Sequence, residues 1–539
     1  MRRMIAFAVA AVIGSAAAAA VLSTATGSPV LGPLDVSLSA ATTCESLKSV
    51  SLPNTTITSA ETIAAGAFTP PPPANGRAGA AGAAAGRGRG PAPNPYAEVP
   101  AFCRVTATLK PSADSDIKME LWMPMSGWNG KYQTAGNGGY AGNLGQQPLA
   151  AGVRRGYAIA GTDTGHVGGA ENMFGHPEQI IDFAYRAIHE TTVTSKAIVA
   201  AFYGNGPKYS YFSNCSTGGR QALMEASKFP DDFNGIVAGD PAIYTSHQAA
   251  QQLWVGMAVH KDEASFIPAA KFPAIHKAAV EACDALDGVK DGVIENPRRC
   301  KFDPQVLLCK NGDSNDCLTQ PQVEAARKLY QAPVNPRTKQ EVFPPLEPGS
   351  ELGWGGMAGD RPFGYANDFY RFFVKKDPNW DFKTIDFDKD VAAAEKEWEG
   401  TFDFYNSNLK AFFARGGKLL QYHGWADPLI TPGVSINYYK LATRNSGFKN
   451  QQEIDDHMRL FMVPGMGHCA GGEGPSTVDW LKPMEEWIEQ GKAPATIVAS
   501  KVEMGETVRT RPLCMYPKEA VYKGSGSTDD ASNFECKAR

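Results

Sequence analysis

The chain is 539 residues long, 43% hydrophobic, and carries a formal net charge of −4. That length exceeds one ordinary domain and is ample for a sizeable core. The mildly negative balance argues against a nucleic-acid or anionic-membrane surface and leaves the chemistry open.

Met1-Arg2-Arg3 precedes an apolar, alanine-rich run from about Ile5 to Leu22. A basic start, an apolar stretch and then small residues read as a signal peptide over residues 1–27. The mature chain is therefore expected to be secreted or periplasmic, with no membrane association after cleavage, since no other stretch is apolar enough to span a bilayer. Ten cysteines in an exported chain imply a disulfide framework: Cys44, Cys103, Cys215, Cys283, Cys300, Cys309, Cys317, Cys469, Cys514 and Cys536.

Residues 70–100 are rich in proline, glycine and alanine, cannot bury a core, and are predicted to form a flexible loop. Alternating strands are predicted at 103–109 and 117–123. A strand from Lys131 then runs into Ala135-Gly136-Asn137-Gly138-Gly139-Tyr140. A glycine-rich loop after an early strand is where α/β-hydrolases supply one oxyanion donor. The next strand, 157–160, ends near Asp163 and His166, which read as supporting residues. Phe183 to Tyr203 reads as a long helix.

An aromatic strand-like run ends at Asn214 and is followed by Cys215-Ser216-Thr217-Gly218-Gly219, after which Gln221 to Ala226 reads as helix. Strand, sharp turn and helix with a serine at the turn is the nucleophile-elbow arrangement, in which the N–H of the next residue, Thr217, faces the oxyanion. Gly218 holds the second glycine of G-x-S-x-G, but Asn214 replaces the first. A further strand, 235–239, ends at Asp240.

From 243 to 405 the strand–helix rhythm breaks, as expected of a lid inserted into the core, which occupies 44–242 and 406–539. Within it, Asp284, Asp287 and Asp291 lie within eight residues, with Gly288 among them and Gly292 directly after. That composition suits a hard cation bound through oxygen, and equally a solvated acidic turn.

The core resumes with a strand from Lys418 that leads to Asp427, then one ending in Val463-Pro464-Gly465-Met466-Gly467-His468-Cys469. Ser216, Asp427 and His468 stand in α/β-hydrolase order. Asp240 competes as the acid. Asp427 is preferred because its strand immediately precedes the histidine strand. Serine preceded by cysteine, and histidine followed by cysteine, suggest a disulfide joining the two loops, which would hold Ser216 near His468. No H-E-x-x-H spacing points to a catalytic zinc.

This Cys-Ser, Asp and His-Cys constellation resembles the tannase/feruloyl esterase family of secreted serine esterases, over nearly all of the chain after about residue 40. The resemblance implies an α/β-hydrolase core with a large lid, and a carboxylic ester hydrolase without an organic cofactor. It places the second oxyanion N–H at about Gly139 and puts His423 at the substrate pocket. It also implies a structural calcium in the lid, held by Asp284, Asp287 and Asp291 and by the carbonyls of Val289 and Val293. Cysteine connectivity stays open on sequence alone. The resemblance implies 44–103, 215–469, 283–300, 309–317 and 514–536.

The expected substrate is a small-molecule or polysaccharide-linked aromatic ester. Feruloyl or hydroxycinnamoyl esters lead, followed by galloyl esters and then aromatic diacid monoesters. Lid aromatics such as Trp354, Phe363, Tyr365, Phe369, Tyr370 and Phe372 would either clasp a ring or form the lid core. The rival readings are a catalytically dead secreted binding protein on the same scaffold and a serine peptidase. No motif addresses the oligomeric state.

Overall fold

The computed structural model describes residues 42–70, 94–404 and 406–539. The predicted signal peptide and most of the 70–100 loop lie outside the described residues. Among the described residues, no helix is long and apolar enough to cross a membrane.

The central sheet has nine strands: β1 (Thr55–Ile63), β2 (Phe102–Leu109), β3 (Ile117–Pro124), β4 (Lys131–Thr134), β5 (Ala158–Thr162), β6 (Tyr209–Cys215), β7 (Gly235–Gly239), β8 (Lys418–Gly424) and β9 (Met458–Val463). Their order is β1-β2-β3-β5-β4-β6-β7-β8-β9. β1, β2, β3 and β5 pair antiparallel. From β5 through β4 to β9 every neighbour is parallel.

Parallel strands are covered on both faces, so their sequences run apolar without a break. β7 and β9 are buried throughout, as is β8 after its first residue. Side chains alternate between two cores with the strand period of two. Ile236, Ala238, Leu419 and Leu460 join Leu223 of the helix Thr217–Lys228 on one face. Val237, Leu420, Phe461 and Val463 join Met484 of the helix Leu481–Gln490 on the other. Two hairpins follow, β10 (Thr496–Glu503) with β11 (Glu506–Cys514), and β12 (Lys518–Tyr522) with β13 (Phe534–Ala538). Met515 bridges Phe461 and so covers part of the outer edge of β9.

Between β7 and β8 the described residues add no strand to this sheet. They form helices such as Thr245–Val259, Phe272–Cys283 and Gln320–Leu329, with a π-helical turn over Phe369–Val374. Two apolar clusters hold them, one around Phe369, Tyr370 and Phe373 that also takes in Tyr140, Met173 and Phe183, the other around Phe272, Trp354 and Met357.

All five implied disulfides are formed: 44–103, 215–469, 283–300, 309–317 and 514–536. The 215–469 bridge closes 254 residues of sequence, for which chain entropy alone gives roughly 5 kcal/mol.

Candidate active site

Parallel strands deliver their C-terminal ends to one edge of the sheet, and β6, β7, β8 and β9 bring Ser216, Asp240, Asp427 and His468 there. Ser216 sits between β6 and the helix Thr217–Lys228 with φ +65° and ψ −126°, a conformation that costs L-residues on the order of 1–3 kcal/mol. The surroundings impose it: Ser216 N–H donates to Gly239 O at 3.0 Å, and its carbonyl accepts from Arg220 and Ala242 N–H at 3.1 Å each. The missing first glycine is accommodated by the second. A Cβ on Gly218 would lie 2.0 Å from Asn214 Oδ1, so Gly218 makes the room that the Asn214 side chain fills. Among the described residues Ser216 Oγ has no hydrogen-bond partner and faces a cavity of about 560 Å³.

His468 lines the same cavity. Its Nδ1 lies 2.7 Å from Asp427 Oδ2, with Asp427 fully buried and His468 19% exposed. Asp427 Oδ1 accepts the N–H groups of Leu429 and Ile430 at 2.8 and 3.0 Å. Burial opposes the charge on both partners. The Asp427 charge and hydrogen bond, with the Asp240 charge, nevertheless raise the His468 pKa to about 9. The charge of His468, with hydrogen bonds from His423 and His468, likewise outweighs burial and holds Asp427 below the ordinary carboxylate range.

Asp240 does a different job. Its Oδ1 accepts Gly424 N–H at 2.8 Å and its Oδ2 accepts Cys469 N–H at 3.0 Å. It thus ties the acid's strand to the histidine's loop while touching the Cys215–Cys469 bridge, whose Cα atoms are 5.8 Å apart. Gly424 must be glycine for this approach, because a Cβ there would meet Met466 O at 2.4 Å.

The glycine-rich loop after β4 also reaches the cavity. Gly139 takes φ +53°, and its carbonyl accepts Thr217 Oγ1–H at 3.0 Å. This bond holds the loop beside the N-terminus of the elbow helix, where the Thr217 N–H is one of the groups without an intrahelical partner. Asn137 N–H donates to Gln221 Oε1 at 3.1 Å. His166 Nε2 pairs with Tyr140 O at 2.9 Å, and Asp163 Oδ1 accepts Lys118 and Gly165 N–H, both at 2.9 Å. His166 therefore braces the loop, while Asp163 ties its own turn to β3.

His423 is placed differently from the expectation. It is fully buried, with Nδ1 2.7 Å from Ser435 Oγ and Nε2 2.8 Å from Ile430 O, and each of Asp240 and Asp427 is 3.4 Å from Nε2. It stands behind the acid rather than in the cavity, so it is no substrate contact. Of the lid aromatics, Phe363 and Tyr365 line the cavity. Trp354 is buried in a cluster within the insert, and Phe369, Tyr370 and Phe372 in the cluster shared with Tyr140 and Phe183. Arg371 pairs with Asp368 at 2.9 Å.

In the acidic loop, Asp284 accepts Asp291 and Gly292 N–H, Asp287 accepts Val289 N–H, and Asp291 accepts Val293 N–H. The second oxygen of Asp291 pairs with Arg511. Arg509 and Arg539 donate to the loop's carbonyls of Asp291, Leu286 and Asp287. The largely buried carboxylates of Asp284 and Asp287 have no ion-pair partner among the described residues, a donor set that a hard cation with oxygen ligands would suit. Among the described residues, the acidic, histidine and cysteine groups whose donor atoms converge within 4.8 Å do not include this loop.

The mixed sheet, with Ser216, Asp427 and His468 brought to one edge by β6, β8 and β9, is that of an α/β-hydrolase, and the similarities that follow make it a carboxylic ester hydrolase. The family model described as tannase and feruloyl esterase matches residues 103–537. An uncharacterised esterase of Xanthomonas campestris pv. campestris is 39% identical over 94% of this chain and 93% of its own length. A probable feruloyl esterase B-1 of Aspergillus oryzae is 33% identical over 82% of this chain and 85% of its own. The crystal structure of feruloyl esterase B from Aspergillus oryzae superposes with a TM-score of 0.82 at 32% identity, covering 92% of this chain and 99% of that one. The chain belongs to the tannase and feruloyl esterase family.

Proposed function

We propose that this chain is an exported serine esterase that cleaves carboxylic esters of aromatic acids, feruloyl or related hydroxycinnamoyl esters first. Ser216 is the nucleophile, His468 the general base and then acid, and Asp427 the residue that fixes the imidazole tautomer. The observation that carries the reading is the convergence of a strained, unpartnered Ser216 and an Asp427-bound His468 on one cavity.

The chemistry follows from the geometry. Ser216 Oγ attacks the ester carbonyl and gives its proton to His468 Nε2, since Nδ1 is held by Asp427. The tetrahedral oxyanion is met by the N–H groups of Thr217 and Gly139, each such donor being worth roughly 3–4 kcal/mol of barrier. His468 returns the proton to the departing alcohol oxygen as the C–O bond breaks. Water then attacks the acyl-enzyme through the same groups, releasing the acid and restoring Oγ–H. The cavity of about 560 Å³, walled by Phe363, Tyr365, Leu429 and Ile430, is of a size typical for small-molecule sites and suits an aromatic acyl group.

The names of the relatives as feruloyl esterases support the choice of acid. Five disulfides support an oxidising compartment. The stretch 243–405 acts as the lid, since it contributes Phe363 and Tyr365 over Ser216. A calcium held by Asp284, Asp287 and Asp291 with the carbonyls of Val289 and Val293 is structural: it would neutralise the acidic loop, and none of these residues belongs to the triad.

The test is a panel of methyl ferulate, methyl gallate and a terephthalate monoester, with a fluorophosphonate label at Ser216. Hydrolysis of methyl ferulate with labelling is the expected result. Faster turnover of methyl gallate would reassign the acid, and an unlabelled, inactive protein would mark a binding scaffold.

A further inference from the structure

Away from the triad, the described residues bring one histidine and two carboxylates together: His189, Glu225 and Asp232. One donor atom of each lies within 4.8 Å of the other two. His189 stands in the first turn of the helix Ala187–Tyr203, and Glu225 in the last turn of the elbow helix Thr217–Lys228. Asp232 lies in the turn that leads to β7. None of the three lines the cavity of Ser216.

Glu225 is the residue the fold leaves unanswered. Its side chain is 1% exposed, and neither carboxylate oxygen has a hydrogen-bond partner among the described residues. A buried polar group left in that state costs about 1–3 kcal/mol, and more when it is charged. The neighbouring cations are committed elsewhere. Lys196 Nζ donates to the main-chain carbonyl of Asp232, lies over the Phe233 ring, and pairs with neither carboxylate among the described residues. Arg415 pairs with Asp231 and donates to the carbonyls of Pro230 and Phe233. Burial, with the charge of Asp232 added to it, pushes the Glu225 carboxyl well above its ordinary range.

We propose that His189, Glu225 and Asp232 form a binding site for a divalent transition-metal ion, zinc first. One imidazole with two carboxylates is a donor set that zinc accepts, with water as the fourth ligand. His189 Nδ1 lies 2.7 Å from Asp232 Oδ2, and the ring stacks on Phe229 with centroids 3.7 Å apart. The stacking fixes the ring so that Nδ1 points into the cluster. Zinc takes the place of the Nδ1 proton that bonds Asp232 and releases it to solvent. Bond lengths of about 2.0–2.2 Å bring ligands to within roughly 4 Å of one another, so small side-chain shifts close the site. His189 is 24% exposed, which gives the ion a way in. The acidic loop of the insert offers oxygen alone, so the two sites select different ions. The zinc would tie the C-terminal end of the elbow helix, whose other end carries Ser216, to the preceding helix and to the turn into β7.

The experiment is a calorimetric titration of Zn²⁺ into the whole protein, stripped with chelator and returned to excess calcium so that the acidic loop is kept out of the comparison. Wild type is expected to bind one zinc per chain, to release protons as it does so, and to melt at a higher temperature with zinc than without. His189→Ala and Glu225→Gln should each weaken binding by more than about 10-fold, since even groups behind a ligand are worth that much. Glu225→Gln keeps the size of the side chain, so it removes a ligand without opening a hole, and circular dichroism checks that both variants fold. Co²⁺ in place of zinc supplies a second readout: a visible absorption band in wild type that His189→Ala abolishes. Wild type that binds no zinc overturns the site and leaves Glu225 and Asp232 sharing a proton. Zinc binding of equal strength in wild type and both folded variants overturns it as well, by placing the ion elsewhere.

Discussion

Asp427 holds the His468 ring, and Asp240 holds the backbone of the residue that follows it: 2.7 Å to Nδ1 in one case, 3.0 Å from the Cys469 N–H in the other. The two carboxylates end adjacent parallel strands, β8 and β7, and both are fully buried. Either could serve as the acid by position in the sequence. The ring contact favours Asp427 for the proposed triad, and the charges of both carboxylates raise the proton affinity of His468.

That affinity makes a prediction about pH. His468 must be neutral to accept the Ser216 proton, and burial, which lowers its pKa, is outweighed by Asp427 and Asp240 so that it stands at about 9. The acid limb of kcat/KM should therefore lie well above the ordinary histidine value of about 6.5. Asp240→Asn removes one of the raising charges and should shift the limb to lower pH. A limb that does not move in this variant, measured over pH 5–10, would separate Asp240 from the titration of the base.

Removal of the triad members should be strongly non-additive. Ser216→Ala and His468→Ala should each reduce kcat on the order of 10⁴- to 10⁶-fold with the fold intact, and the double change should cost little more. Turnover of methyl ferulate near wild type in either single variant, once contaminating esterase is excluded, would reject the assignment.

The bridge between the two loops should matter for rate as well as stability. A misplacement of about 1 Å can cost on the order of 100-fold. Cys215→Ser with Cys469→Ser is expected to lower kcat on protein that is still folded, whereas Cys514→Ser with Cys536→Ser should mainly lower the melting temperature. Equal kcat in the two double variants would make the 215–469 bridge a staple only.

Chelation should lower the melting temperature, because an ion bound only to the folded state stabilises it by mass action. Active-site titration of the fraction that stays folded should change little. Elemental analysis finding no calcium, together with an unmoved melting temperature, would remove the ion from Asp284, Asp287 and Asp291.

What was legible in the sequence was local. Ser216 between Cys215 and Thr217, His468 before Cys469, and Asp427 after an apolar run are each short strings whose geometry their neighbours dictate. His423 was misjudged because a strand covered on both faces gives no alternation to say which way a side chain points. Nor was the pairing of His276 with Glu473 legible, since the two are 197 residues apart and meet only where the insert packs on the core. The double duty of Asp240 escaped for a similar reason: its partners are main-chain N–H groups, which leave no mark in a sequence.

The cysteines bridged beside the active site are 254 residues apart, and all four cysteines of the insert lie between them. At about 5–20 residues per second of synthesis, Cys469 emerges roughly 13 to 50 s after Cys215. An oxidase working strictly in order of emergence would join Cys215 to Cys283, the next thiol along. The native pattern therefore requires either that oxidation wait for the sheet to close or that an isomerase undo the first pairing. Production hosts should differ in yield according to which of these they provide.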